Sequence, residues 1–161
     1  MSANKIKFLV MDVDGTLTDG KIYMGINGEI MKSFDVKDGY AINDLLPRHG
    51  IKPVILTGRR SEIVENRAKE LGIEFVFQKV KDKLCFLKEF AVAQKVTLEE
   101  IAFIGDDLND FECIKFCGIS GCPNDAVNEI KSKVDFISAK NGGNGALREF
   151  AEYIVEITGD I

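Results

Sequence analysis

A chain of 161 residues, 45% hydrophobic and 29% charged, has the size and composition of one ordinary globular domain with a single core. Its net charge of −5 excludes a general attraction to nucleic acid or to an anionic membrane surface. No apolar run approaches the roughly 18 residues needed to span a bilayer, and no apolar signal core follows Met1–Lys5, so a cytoplasmic setting is expected.

Apolar runs of strand length alternate with amphipathic runs of helix length. Strands are predicted at Ile6–Asp12, Pro53–Leu56, Glu74–Phe77, Ile101–Ile104 and Ile119–Gly121. Helical patterns cover Gly39–His49, Ser61–Leu71, Lys83–Gln94, Asn109–Cys117, Asp125–Lys131 and Gly145–Ile157. Ser61 and the Thr97–Glu100 capping box read as helix starts, and Gly50 and Gly72 as stops. Pro47 conflicts with the first helix and is expected to bend or tighten its last turn, and His49 reads as a helix-end residue. The rhythm predicts an α/β fold: right-handed crossovers and a mostly parallel sheet covered on both faces, a three-layer Rossmann-like arrangement over residues 1–161.

One segment breaks the rhythm. Lys21–Met24 and Glu29–Phe34 flank Gly25-Ile-Asn-Gly28 and read as a β-hairpin, about residues 21–34. Ile22, Tyr23, Met24, Ile30, Met31 and Phe34 put apolar groups on both of its faces, which favours burial against another subunit.

The chemistry gathers after the strands, where open α/β sheets bind ligands. Asp12 and Asp14 emerge as the first strand ends, and Gly15 lets the backbone turn away. Two carboxylates this close repel unless they share a cation or one is protonated. Leu56 runs into Thr57-Gly58, a hydroxyl and a backbone N–H suited to a phosphate oxygen. Lys83 opens a helix and can bring a compact positive charge, although Lys79, Lys81 and Lys88 nearby are ordinary solvated candidates. Ile101–Ile104 delivers Gly105-Asp106-Asp107-Leu-Asn109-Asp110, an oxygen-rich set that suits Mg²⁺. Asp107 and Asp110 are equally good candidates for helix N-capping. Cys85, Cys113, Cys117 and Cys122 form no metal-binding pattern and read as reduced, packed thiols.

The series D-x-D-G-T, T-G, K and G-D-D-x-x-D, each at a strand's carboxyl end, resembles the haloacid dehalogenase superfamily of phosphohydrolases over nearly the whole chain. That resemblance implies Asp12 as nucleophile through an aspartyl-phosphate and Asp14 as general acid, then base. It implies Thr57 and Lys83 on the phosphoryl oxygens. Mg²⁺ would be held by the Asp12 carboxylate, the Asp14 main-chain carbonyl and Asp106, with Asp107 and Asp110 in support. Too few residues separate these motifs for a cap domain.

The hairpin, Phe34-Asp-Val-Lys-Asp38-Gly39-Tyr40, Leu56–Arg60 and Gly142–Glu149 further resemble capless members that act on sugar-acid phosphates of lipopolysaccharide biosynthesis. Those are homotetramers whose hairpins meet and whose sites a neighbour's tail completes. Here that role would fall to the Gly142–Gly145 segment, with Lys140 or Arg148. Substrate contacts are implied for Asp14, Val36, Lys37, Asp38, Gly39, Gly58, Arg59 and Arg67, the last of which reads equally as a solvated helix residue. Asn43 and Asn144 stand where many members carry basic residues, which keeps a nine-carbon sialic-type ketoacid 9-phosphate as the alternative to an eight-carbon 8-phosphate. A response-regulator receiver would need an acceptor Asp after a middle strand, where Thr57 and Gln78 stand instead. A non-catalytic assembly module would be free to lose its nucleophile or lysine, and this chain keeps both.

Overall fold

The computed structural model describes residues 5–159. Its centre is a six-stranded, wholly parallel sheet in the order β5-β4-β1-β6-β7-β8. These strands are β1 (Phe8–Met11), β4 (Lys52–Leu56), β5 (Phe75–Phe77), β6 (Ile101–Ile104), β7 (Ile119–Cys122) and β8 (Phe136–Ile137). The hairpin, β2 (Tyr23–Gly25) and β3 (Gly28–Met31), forms a separate antiparallel pair. Its turn holds only Ile26 and Asn27, tighter than the four-residue connection expected. The two-residue strand β8 had no sequence signal, because Phe136-Ile137 is too short to show a period.

The helices are α1 (Val36–Tyr40), α2 (Leu46–Arg48), α3 (Glu62–Leu71), α4 (Lys83–Gln94), α5 (Phe111–Phe116), α6 (Asn128–Lys131) and α7 (Ala146–Thr158). The first helical pattern is therefore not uniform: a π-helical turn over Ala41–Leu45 joins α1 to α2. Pro47 lies inside α2 and has no N–H to give, so the ladder of the preceding turn is the part that adjusts. The Thr97–Glu100 capping box is present but starts only a 3₁₀ turn, Leu98–Glu100, that leads directly into β6. Gly72 ends α3 in the left-handed region at φ 70°, as expected, and His49 caps α2.

Alternation along the buried strands builds both covering layers. Leu9 and Met11 face one core with Ile55, Ile104, Leu147, Phe150 and Ile154, which brings in α3 and α7. Phe8 and Val10 face the other with Leu56, Phe103, Leu87, Phe90 and Ile114, under α4 and α5. Phe90 sits within 5.1 to 5.7 Å of the Phe8, Phe75 and Phe77 ring centres, so β1, β5 and α4 share one aromatic cluster. Each such fully buried side chain stabilises the fold by roughly 1.5–3 kcal/mol.

Between β1 and β4 lie only the hairpin and the α1–α2 stretch, and between β4 and α4 only α3 and β5. No cap domain is inserted at either place. All four cysteines are free, and Cys85 is exposed on α4, not packed as expected. No helix among the described residues is long and apolar enough to cross a membrane.

Candidate active site

The strand order places β1 at the switch point, with β4 on one side and β6 on the other. Beyond their carboxyl ends lies an open cleft of about 200 Å³ lined by Asp12, Asp14, Thr57, Gly58, Arg59, Asp106, Asp107 and Asn109. A larger groove of about 530 Å³ beside α3 and β5 gathers no comparable set of reactive groups.

Asp12 follows β1 directly, tied to β6 by its N–H to the Ile104 carbonyl at 3.1 Å. The chain then turns at Gly15, whose φ of +89° belongs to the left-handed region. A Cβ there would also overlap the Asp106 carboxylate, so space as well as dihedral demands glycine. Thr16 Oγ1 donates to Asp106 Oδ1 at 3.3 Å and joins the first loop to the one after β6.

Lys83 is the first residue of α4, and Asp82 caps that helix by accepting the Cys85 N–H at 2.9 Å. Its ammonium is buried, 3.0 Å from Asp12 Oδ1 and 2.7 Å from Asp110 Oδ1, so it is not one of the solvated lysines of its neighbourhood. Burial opposes that charge, yet the carboxylates of Asp12 and Asp110 outweigh it and hold Lys83 above the ordinary lysine value.

Carboxylate oxygens of Asp12, Asp106 and Asp110 lie within 4.8 Å of one another. Burial, with Asp12 close by, pushes Asp106 up to about 8, and burial with Asp12 pushes Asp110 up to about 6. One ammonium among three crowded acids leaves the cluster short of positive charge. The donor set is all hard oxygen with no thiolate or imidazole, so it fits a hard divalent cation such as Mg²⁺.

Asp107 caps the turn after β6, accepting the Leu108 N–H at 2.7 Å, and stays outside the acidic trio. Asp110 stands at the N-cap of α5 but makes no side-chain cap bond there: one oxygen accepts the Asp106 N–H at 3.1 Å, and the other meets Lys83 at 2.7 Å. Thr57 is buried and fixed through its backbone, its N–H to the Phe77 carbonyl at 3.0 Å and its carbonyl to the Val80 N–H at 3.1 Å.

Of the residues offered to the substrate, Asp14, Gly58 and Arg59 line the cleft. Val36 and Lys37 are exposed outside it, while Asp38 is buried with Oδ1 accepting the Arg148 N–H at 3.1 Å. Gly39 packs under the Arg67 guanidinium, which lies over the Phe34 ring and pairs with Glu70 at 3.0 Å. The Gly142–Gly145 segment is not an arm free to reach a neighbour. Gly142 packs so closely on the Gly15 carbonyl that a Cβ would overlap it, and Gly143 donates to the Thr16 carbonyl at 3.1 Å. Asn43 and Asn144 spend their amides on backbone carbonyls, Leu71 at 3.1 Å and Gly142 at 3.3 Å.

Sequence reading missed Lys32, whose buried ammonium donates to Asp14 Oδ1, and Glu29, which pairs with Lys32 at 3.4 Å. Both sit on the second hairpin arm, where charged and apolar residues are interspersed without a spacing that marks a site.

Residues 73–150 match the family of haloacid dehalogenase-like hydrolases. The chain is 39% identical over 153 residues to 3-deoxy-D-manno-octulosonate 8-phosphate phosphatase from Yersinia pestis, covering 95% of this chain and 81% of that protein. The Moraxella catarrhalis phosphatase of the same name, solved with a magnesium ion, a phosphate ion and a KDO molecule, superposes with TM-score 0.92 at 38% identity, over 99% of this chain and 91% of that one. The cobalt-bound phosphatase from Haemophilus influenzae gives TM-score 0.92 at 37% identity, covering 99% and 92%. With the acidic cluster at the head of β1 and β6 and the lysine of α4 in place, this chain belongs to the haloacid dehalogenase superfamily of hydrolases.

Proposed function

We propose that this chain is a Mg²⁺-dependent phosphatase that hydrolyses 3-deoxy-D-manno-octulosonate 8-phosphate to the free sugar acid and inorganic phosphate. The observation that carries the reading is the Lys83 ammonium, buried between Asp110 and Asp12, the latter a residue that lines the cleft. A phosphate dianion repels a carboxylate nucleophile, so positive charge has to be in place before the two meet. The relatives named above support the substrate, since each is called an octulosonate 8-phosphate phosphatase.

In this reading an Asp12 carboxylate oxygen attacks phosphorus and the bond from phosphorus to the sugar oxygen breaks. Asp14 gives its proton to that departing oxygen. Water then attacks the aspartyl-phosphate, Asp14 takes the water proton, and the bond to Asp12 breaks to release phosphate. Thr57, the Gly58 N–H and Lys83 hold the phosphoryl oxygens throughout. Asp12, Asp106 and the Asp14 carbonyl would hold Mg²⁺, with Asp110 behind them and Asp107 shaping the loop. The bound ion supplies charge neutralisation at the phosphoryl group.

The remaining roles follow from the same resemblance. Arg59, at the cleft, suits the sugar acid's carboxylate. The resemblance also offers Val36, Lys37, Asp38, Gly39 and Arg67 to the substrate, although none of the five lines the cleft of this chain. The whole chain works as one domain, in the cytoplasm, and associates through its hairpins into a homotetramer.

A phosphate-release panel with Mg²⁺ tests the reading, comparing eight- and nine-carbon ketoacid phosphates with simple sugar phosphates and nucleotides. The eight-carbon 8-phosphate should have the highest kcat/KM. Preference for the nine-carbon 9-phosphate would move the assignment to the sialic-type alternative, and absence of phosphate release from every ester would overturn the phosphatase.

A further inference from the structure

Lys32 stands one residue beyond β3, on the arm that leads from the hairpin back to the sheet. Its side chain is fully shielded from solvent, and its ammonium is shared between two carboxylates. It donates to Asp14 Oδ1 and lies 3.4 Å from Glu29 Oε2. Glu29 in turn accepts the Ser61 hydroxyl at 2.7 Å and meets Arg59 at 3.4 Å, while the Ser61 N–H is held by Gln78 at 2.7 Å. A continuous polar chain thus runs from the turn after β1, through the hairpin, to the loop after β4. Those are two of the walls of the cleft.

Burying an ammonium in this way is a poor means of gaining stability. Desolvating a lysine costs several kcal/mol, and an ion pair does little better than recover that cost. The arrangement makes sense as positioning. A proton donor must present its oxygen to the departing group within a fraction of an ångström, and a misplacement of about 1 Å costs on the order of a hundredfold. An aspartate side chain at a cleft edge has two free torsions, and Asp14 lines the open cleft. Anchoring Oδ1 removes that freedom and leaves Oδ2 to carry the proton.

We propose that Lys32 is the positioning residue for Asp14, so that the hairpin aims the proton donor at the leaving oxygen. The proposal rests on the reading of Asp14 as general acid, and the experiment separates the two. Two small esters without a carboxylate are compared in kcat/KM, which reports the step that forms the aspartyl-phosphate. The 2-phenylethyl ester leaves as an alkoxide and needs a proton, whereas the 4-nitrophenyl ester leaves as a stabilised phenolate and does not.

Lys32→Met should lower kcat/KM for the phenylethyl ester about tenfold to a hundredfold, and for the nitrophenyl ester less than about threefold. Lys32→Arg, which keeps a cation on a long stem, should recover most of the loss. Glu29→Gln frees the far side of the ammonium and should shift the ratio in the same sense by a smaller factor. It decides the matter if Lys32→Met fails to fold by circular dichroism. Equal losses on both esters, or no loss on either, would overturn the positioning role. Asp14→Asn is measured alongside. If it shows no leaving-group bias, the general-acid reading fails; if it shows the bias and the Lys32 and Glu29 variants do not, only the Lys32 proposal fails.

Discussion

Asp38 Oδ1 accepts the backbone N–H of Arg148 at 3.1 Å, so a side chain from α1 caps the start of α7 across more than half the chain. Gly145, the residue at the cap position itself, has no side chain to do so. The segment held in this way is the one that packs Gly142 on Gly15 and Gly143 on Thr16, behind the active-site turn. Asp38→Ala should therefore cost about 1 kcal/mol in thermal or denaturant unfolding. It should also lower turnover, because the turn loses its backing. A variant with wild-type stability and turnover would remove Asp38 from this role.

Asp12→Asn keeps the shape of the side chain and removes the charge that attacks phosphorus in the proposed mechanism. Turnover should fall about a thousandfold or more, with folding little affected. Lys83 retains Asp110 at 2.7 Å in that variant, so no buried cation is left alone. Phosphate release measured on freshly purified protein, checked by mass for deamidation, decides whether the nucleophile has been identified.

The raised Asp106 carboxyl gives the metal a pH signature. Its folded value, about 8 against 3.8 for an ordinary Asp, means that the folded, metal-free protein holds this proton more tightly than the unfolded chain. That contribution to stability is complete below the unfolded value and is lost as pH rises through about 8. Mg²⁺ competes with the same proton. The increase in Tm on adding Mg²⁺ should therefore be larger at about pH 8.5 than at about pH 6, and Asp106→Asn should flatten the difference. Asp106→Ala should raise the Mg²⁺ concentration needed for activity about tenfold or more, while Cys113→Ser leaves it unchanged. A metal requirement that follows Cys113 would point to a different site.

Much of this was legible because each motif sits at the end of a buried apolar run. Phe8–Met11 and Ile101–Ile104 announce adjacent strands, and Asp12 and Asp106 have nowhere to project except the shared carboxyl edge. Lys83 was marked by position, and its burial between two acids explains why position mattered more than type. Long-range polar pairings were not legible. Nothing in the spacing of Lys32 and Asp14, or of Asp38 and Arg148, carries a period, since both depend on how the hairpin and α7 fold back. Ser61 makes the same point: it precedes α3 as expected, yet its hydroxyl goes to Glu29 instead of capping the helix.

The hairpin's outer surface leads to the last expectation. Met24, Ile26, Ile30 and Met31 are all more than half exposed, Ile26 completely so, while Ile22 is half-buried against its own chain. A two-stranded ribbon with that much bare apolar surface is marginal alone and gains by meeting copies of itself. Closed symmetry would let several ribbons cover one another. A charge at Met24 or Ile30, such as Met24→Asp or Ile30→Lys, should therefore dissociate the proposed homotetramer, whereas a charge at Ile22 should mainly destabilise the protomer. The assembly should also matter for selectivity, because a capless cleft has few groups of its own to recognise a sugar. Dissociated protein should lose more kcat/KM on the ketoacid phosphate than on a small aryl phosphate, which needs only the phosphate site of one chain. Light scattering and kinetics on the same samples test both halves. A wild-type chain that is monomeric and fully active at assay concentration would leave the hairpin's apolar face without a role in the site.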